Sequence, residues 1–358
     1  MDSKNITLKD IAKEAGTSVT TVYRVLNNKE GVGDELRQKI LKISKELGYT
    51  LNYAASSLSK KATNIVVFFP KKDETSRFYT NLIYEGYVKF KEEISGFNIT
   101  FTEYFYEYEH ENLSILLERL FNDKSFKVDG LLIYPMRSRQ IINLLNRFAG
   151  RGIPIVLIDK DLTEVARLTC VKPNDELAGR LSGELMSKLV HKSGKILIAD
   201  NDITVLDTDI SVHDANSNGF VQMLQSRRND LTTERIQISY KDNQLYHFMK
   251  DRLESDANIV GVYSTTARNT VSVAKAVFHL NLQKKITFIG SEVFDENIRM
   301  LENGVIDAII YKNPFLIGYE ALKILFNHVL KGQEAKKQYN ITPRIILESN
   351  VTVLADSY

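Results

Sequence analysis

The stretch from Thr7 to Asn27 is the tightest constraint on what this chain can fold into. Leu8, Ile11, Ala12 and Ala15 recur at i, i+3, i+4 and i+7, so one helix face is apolar while Lys9, Asp10, Lys13 and Glu14 face water. Thr7 can cap that helix, and Asp10, three residues on, approximates a capping box. Gly16 supplies the turn, because it enters the left-handed backbone region at little steric cost. Ser18 caps a second helix. Within it Val22, Val25 and Leu26 form the buried stripe, leaving Val19, Thr20, Tyr23 and Arg24 directed outward near the N-terminal half. A third helix is expected from Asp34 to Leu47, where Leu36, Ile40, Ile43 and Leu47 sit at steps of four, three and four, with Gly48 ending it. Three helices enclosing one small core, with the first two joined by a tight turn, give the outline of a helix-turn-helix. In such a unit the outward side chains of the second helix meet base edges and phosphates.

Thr7 to Leu58 resembles the headpiece of the LacI/GalR family of bacterial transcription regulators. The resemblance rests on Thr7-Leu8-Lys9-Asp10-Ile11-Ala12, Ala15-Gly16-Thr17-Ser18, Thr21-Val22, Arg24-Val25-Leu26-Asn27, Leu47-Gly48-Tyr49 and Asn52. It implies a DNA-binding set of Thr7, Ser18, Val19, Thr20, Thr21, Tyr23, Arg24, Asn27, Asn52, Ala55 and Leu58. Val19, Thr20 and Arg24 would read the major groove, Arg24 at a guanine edge and Thr20 at a base or its methyl group. Tyr23 departs from the family, most members of which carry a small Ser there, so operator sequence does not transfer from relatives. Residues 51–62 read as a hinge, too short and polar to hold a stable helix alone. The resemblance implies that two such hinges from a dimer lie in the minor groove, with Leu58 wedged between base steps and Ala55 permitting close approach. Taken without the resemblance, the same segment is also compatible with an ordinary flexible linker.

Charge supports a division near residue 62. Residues 1–61 hold eleven Lys or Arg against seven Asp or Glu, a net +4, whereas the 358-residue chain carries 47 against 45, a net +2. The remainder is therefore −2, and only the N-terminal part is basic, which suits phosphate contact without proving it.

Beyond residue 62, short apolar runs alternate with helical patterns. Strands are expected at Ile65–Phe69, Phe97–Phe101, Gly130–Tyr134, Ile155–Ile158, Lys195–Ala199, Arg235–Ser239, Gly261–Tyr263 and Ile286–Ile289, with amphipathic segments between them. This alternation predicts parallel sheets covered by helices on both faces, repeated in two lobes that face a cleft. The same region resembles the family's effector domain, of the periplasmic sugar-binding fold, through Val128-Asp129-Gly130-Leu131-Leu132-Ile133, Ile153-Pro154-Ile155-Val156 and Asn218-Gly219-Phe220. The resemblance implies lobe 1 over about 63–162 and 293–332, and lobe 2 over about 163–292 and 333–358. The expected fold class is thus an α-helical headpiece, residues 1–50, followed by a two-lobed α/β domain.

In such sheets ligands gather beyond the carboxyl ends of the strands. That rule selects Arg77, Phe78, Tyr79, Tyr134, Asp159, Asp200, Asn201, Arg268 and Glu292. Carboxylates accept paired hydroxyl hydrogen bonds and rings cover apolar C–H faces, a combination suited to a sugar. By resemblance, Asp159 and Glu292 stand where members place acidic sugar ligands. Asn216, flanked by His213 and Asp214, stands where many carry Arg, a cation that Arg268 could replace from the opposite loop. Each candidate has a plainer reading: Asp159 and Asp200 as loop caps, Phe78 and Tyr79 as core, Tyr246 as helix packing, His213 as a satisfied loop residue.

Other chemistry is sparse. Cys170 is the chain's single cysteine, so no internal disulfide can form, as expected of a reducing cytoplasm. There is no long apolar run and no signal-peptide pattern at Met-Asp-Ser-Lys, and no phosphate loop, nucleophile elbow or paired-His metal spacing. Neither cofactor nor metal is expected. The sequence leads to a cytoplasmic, dimeric, effector-controlled DNA-binding regulator, a repressor by expectation, bound to a palindromic operator and to a small carbohydrate. A cytoplasmic sugar-binding protein or enzyme of the same two-lobed fold is the alternative.

Overall fold

A computed structural model describes residues 6–26, 31–47, 62–72, 78–107, 110–200, 210–239 and 241–351. A helical unit lies within Met1–Ala62, and an α/β unit runs from Thr63 onward.

The helical unit holds α1 (Leu8–Ala15), α2 (Val19–Leu26) and α3 (Asp34–Glu46). The Asp10 carboxylate accepts from the Thr7 amide at 2.8 Å and from its hydroxyl at 2.6 Å, fixing the start of α1. Gly16 ends the helix at φ 69°, and the Thr17 amide returns to the Ala12 carbonyl at 3.0 Å. Ser18 Oγ then accepts from the Thr21 amide at 3.1 Å and opens α2. Ile11, Ala12, Ala15, Val22, Val25, Ile40 and Ile43 form the buried centre, while Leu26 and Leu36 pack at its margin. The expected helices are all present, although Gly48 lies outside the described residues.

In the α/β unit the chain runs β1 (Thr63–Pro70), α4 (Thr80–Glu93), β2 (Ile99–Tyr106), α5 (His110–Asn122), β3 (Gly130–Ile133), α6 (Arg139–Gly150), β4 (Ile155–Ile158) and β5 (Thr169–Pro173). It continues with α7 (Asp175–Leu189), β6 (Gly194–Ala199), α8 (Ile210–Gln225), β7 (Leu231–Ile236), α9 (Gln244–Ser255), β8 (Ile259–Ser264), α10 (Ala267–His279) and β9 (Thr287–Ser291). The last elements are α11 (Asp295–Glu302), β10 (Ala308–Tyr311), α12 (Pro314–Lys331), β11 (Gln338–Ile341) and β12 (Arg344–Ile346). Two six-stranded sheets result, in the orders β11-β5-β4-β3-β1-β2 and β12-β10-β9-β8-β6-β7. All pairings are parallel except β12 on β10. Each sheet is apolar on both faces and carries helices on both, as the alternation of elements requires.

The crossings between lobes differ from those expected. The chain does not leave the first lobe near Leu162: Asn146 of α6 grips residues 159–168, accepting from the Ala166 amide and donating to the Glu164 carbonyl, and β5 then pairs with β4. The first crossing therefore follows Pro173. The second falls after Lys312 rather than near Glu292, because β10 pairs with β9, and the third falls between β11 and β12 rather than after Gly332. The second strand starts two residues late, at Ile99, and β7 starts at Leu231, before the Arg235 expected from its apolar end.

Two helix pairs brace the lobes. In the first, α12 crosses α4 so closely that a Cβ on Gly318 would collide with the Ile83 carbonyl; in the second, α7 crosses α8 and a Cβ on Gly179 would collide with the Asn216 carbonyl.

Candidate functional site

In the helical unit, Val19, Thr20 and Arg24 are exposed on α2 and Tyr23 is half-buried beside them. Val22 and Val25, on the opposite side, anchor the helix in the core and so fix the direction of the outward row. Thr7, Ser18 and Thr21 have structural duties as well: Thr7 and Ser18 cap helices, and Ser18 Oγ and Thr21 Oγ1 share a hydrogen bond of 2.8 Å. Asn27, Asn52, Ala55 and Leu58 lie outside the described residues, as do Arg77, Asn201 and the side chains of His213 and Asp214.

The second site forms where the carboxyl ends of the two sheets face each other. Asp159 follows β4 with φ 67°, and Glu292 follows β9 with φ 66°. Non-glycine residues rarely adopt this backbone, and here each is locked by its amide, Asp159 to the Val171 carbonyl at 2.8 Å and Glu292 to the Ile310 carbonyl at 3.1 Å. Asp159 Oδ1 accepts from the Tyr79 hydroxyl at 2.7 Å and Oδ2 from the Tyr134 hydroxyl at 2.9 Å. Burial, followed by the charges of Asp159 and Glu292, holds the Tyr79 phenol well above its ordinary range, so it stays a donor. Lys160 Nζ stands 5.6 Å over the Tyr134 ring. The rings of Phe78, ahead of α4, and Phe294, at the start of α11, meet at 4.7 Å and join the two lobes.

Glu292 is 1% exposed. Its Oε2 accepts the Lys312 amide at 3.3 Å, and Oε1 has no hydrogen-bond partner, the Lys312 ammonium being 4.0 Å away. Burial raises its carboxyl to about 7, helped by Asp175 and Asp159 and opposed by Lys312. Burial also raises Asp175, which lies 3.7 Å from the Lys312 ammonium. On its own, burial would lower Lys312, but the charges of Asp175 and Glu292 outweigh it and leave the ammonium raised. Lys312 Nζ also donates to the Thr265 carbonyl at 3.2 Å.

The remaining expected residues separate. Asn216 is buried, with Oδ1 accepting the Tyr263 hydroxyl at 2.6 Å and Nδ2 lacking a protein partner. Arg268 is half-buried at the start of α10. Asp200 is an internal tie, accepting from Ser217 and, at 2.9 Å, from Thr265. Tyr246 packs helices, its hydroxyl 2.9 Å from His279 Nδ1. Lys312 and Asp175 went unnoticed in the sequence because the strands that end beside them, β10 and β5, were unread. Among the described residues no cluster of three or more metal-ligating side chains occurs, and no helix is long and apolar enough to cross a membrane.

Residues 7–52 match the family described as bacterial regulatory proteins, lacI family, and residues 66–334 match the periplasmic binding protein domain. The transcriptional regulator DegA of Bacillus subtilis is 29% identical over 201 residues, 55% of this chain and 56% of that protein, so the chain aligns with about half of that relative's length. The sucrose operon repressor of Lactococcus lactis is 29% identical over 343 residues, 94% of this chain and 97% of that protein. The solved structure of GanP, a glucose-galactose binding protein from Geobacillus stearothermophilus, superposes with TM-score 0.67 at 19% identity, over 81% of this chain and 99% of that one, and shares the two-lobed fold. The chain belongs to the LacI family of bacterial regulatory proteins, a helix-turn-helix headpiece joined to a two-lobed periplasmic-binding-protein domain.

Proposed function

We propose that this protein is a sequence-specific transcription regulator of the cytoplasm, a repressor, that binds a palindromic operator as a dimer and answers to a small, hydroxyl-rich effector of the sugar class. The observation that carries the effector half is the pair of carboxylates, Asp159 and Glu292, at matching places in the two lobes. Hydroxyl donors suit both, Phe78 and Phe294 offer apolar walls, and Asn216 Nδ2 is a donor awaiting an acceptor. Arg77 and Arg268 complete the proposed set with Tyr79 and Tyr134. The regulatory names of DegA and the sucrose operon repressor support the DNA half.

Effector and operator then compete or cooperate through one coupling energy, so each changes the other's affinity by the same factor. Thermal shift of the full-length protein across neutral sugars, sugar phosphates and nucleobases tests the ligand class, since a ligand of the folded state raises its stability by mass action. A shift with a neutral sugar is expected, and shifts confined to phosphates or purines would overturn the class. On the cognate operator, Arg24→Ala should cost about 1–3 kcal/mol and relax discrimination at one base step. An equal loss on every DNA sequence would make Arg24 a phosphate contact.

A further inference from the structure

Lys312 stands at the second crossing, beside Asp175 and Glu292, yet the proposed capture of a sugar makes no use of it. Its side chain is 12% exposed, and Glu292 beside it is 1% exposed. Its ammonium is surrounded by the Thr265 carbonyl at 3.2 Å, Asp175 Oδ1 at 3.7 Å and Glu292 Oε1 at 4.0 Å, and its own amide holds Glu292 Oε2. Asp159 and Tyr79 act on this group from the first lobe, Tyr263 from β8, and Lys172 on Asp175 from β5. Asp175 and Glu292 therefore flank one largely buried lysine, with Glu292 Oε1 left unbonded.

We infer that Lys312 is a positioning residue of effector capture: as counter-ion it lets Glu292 and Asp175 act as hydroxyl acceptors, and acceptors at that place select uncharged, hydroxyl-bearing ligands against carboxylate-bearing ones. A buried carboxylate without a counter-ion takes up a proton and becomes a single donor in place of a two-oxygen acceptor. Hydroxyls arriving at Glu292 Oε1 favour its ionised form, so binding below neutrality expels a proton. With Glu292 half-protonated near pH 7, affinity should be about tenfold weaker at pH 6 than at pH 8. This rests on the cleft being the effector site.

The test uses the full-length protein as wild type, Lys312→Met, Lys312→Arg, Glu292→Gln and the double variant Lys312→Met with Glu292→Gln. Melting without ligand is followed from pH 5 to 9, and the shift is then read with glucose, glucosamine and glucuronate, one ring in three charge states, and with the wider sugar panel. Without ligand, wild type should lose stability as pH rises toward 7. Lys312→Met should carry that loss to higher pH, Lys312→Arg should restore it, and Glu292→Gln should reduce the effect of Lys312→Met to the part carried by Asp175. With sugar, Lys312→Met should lose the shift at pH 7 that wild type shows. Parallel pH profiles for wild type and Lys312→Met, with sugar shifts intact, would overturn the role of Lys312 while sparing the effector reading. A best response to glucuronate would overturn the charge selection. Coupled profiles with no response to any sugar would remove the effector reading, and the capture role with it.

Discussion

Asp159 and Glu292 occupy one slot in two copies of a fold. β4 and β9 hold the same place in their sheets, and the residue after each turns into the left-handed region and hands its amide to the neighbouring strand. Their surroundings then diverge. The first lobe gives its carboxylate two tyrosine hydroxyls; the second gives Glu292 one backbone amide, a lysine too distant for a hydrogen bond, and deep burial. A backbone that fixes where a ligand group stands leaves its protonation to the side chains around it. One lobe thus holds a carboxylate with both oxygens bonded, and the other a carboxylate whose Oε1 lacks a protein partner.

The likeness extends to the braces, and there it should break at the greatest cost. Gly318→Ala in the first lobe and Gly179→Ala in the second each force a methyl into a carbonyl of the facing helix, and each should lose about 3 kcal/mol or more in urea denaturation. A lobe that absorbs its methyl without loss is not built like the other.

The carboxylates should respond in opposite directions. Asp159→Ala strands the Tyr79 and Tyr134 hydroxyls and should cost about 1–3 kcal/mol. For Glu292 the folded value of about 7 lies above the ordinary carboxyl value of 4.5, so its favourable contribution is complete below pH 4.5 and is lost as pH rises through 7. Glu292→Gln should therefore flatten the profile and leave the protein relatively more stable at pH 8 than at pH 5. Thermal melts at the two pH values decide, and destabilisation of the same size by both substitutions at pH 8 would erase the contrast.

The smallest effect separates the two crossings. Asn174 and Asn313 cap α7 and α12 through the same bond, each Oδ1 accepting an amide three residues on at 3.1 Å. Asn313 alone has a positive φ, 56°. Alanine should cost about 1 kcal/mol more at 313 than at 174, because it meets the left-handed penalty as well as the lost cap. Equal losses in denaturation would mean that the Asn313 backbone relaxes.

The headpiece was legible because its signals are local: apolar spacing, two caps and one glycine turn lie within twenty or so residues of one another. The lobes were legible as a pattern but not in their boundaries. β5 is five residues long and contains Lys172 and Pro173, and β10 is a four-residue run, so neither stands out until it pairs with a neighbour. α12 is apolar almost all round because it lies between a sheet and α4, which erases the periodicity that marks a surface helix. The rule that ligands gather at strand ends selected Tyr79, Tyr134 and Asp159, which hydrogen bonds join, and Glu292 at the matching place of the other lobe. Asp175 and Lys312 obey the same rule, at the ends of the two strands that short runs concealed.

The three crossings also set an order of assembly on the ribosome. The first lobe begins at Thr63 but lacks its bracing helix until Lys331 and its last strand until Ile341, whereas five strands of the second are complete by Tyr311. The lobe whose synthesis starts first thus gains its bracing helix only after five strands of the other have been made. A nascent chain halted near Lys312 would expose the apolar face of its first sheet that α12 later covers, a surface prone to aggregation until that helix is made.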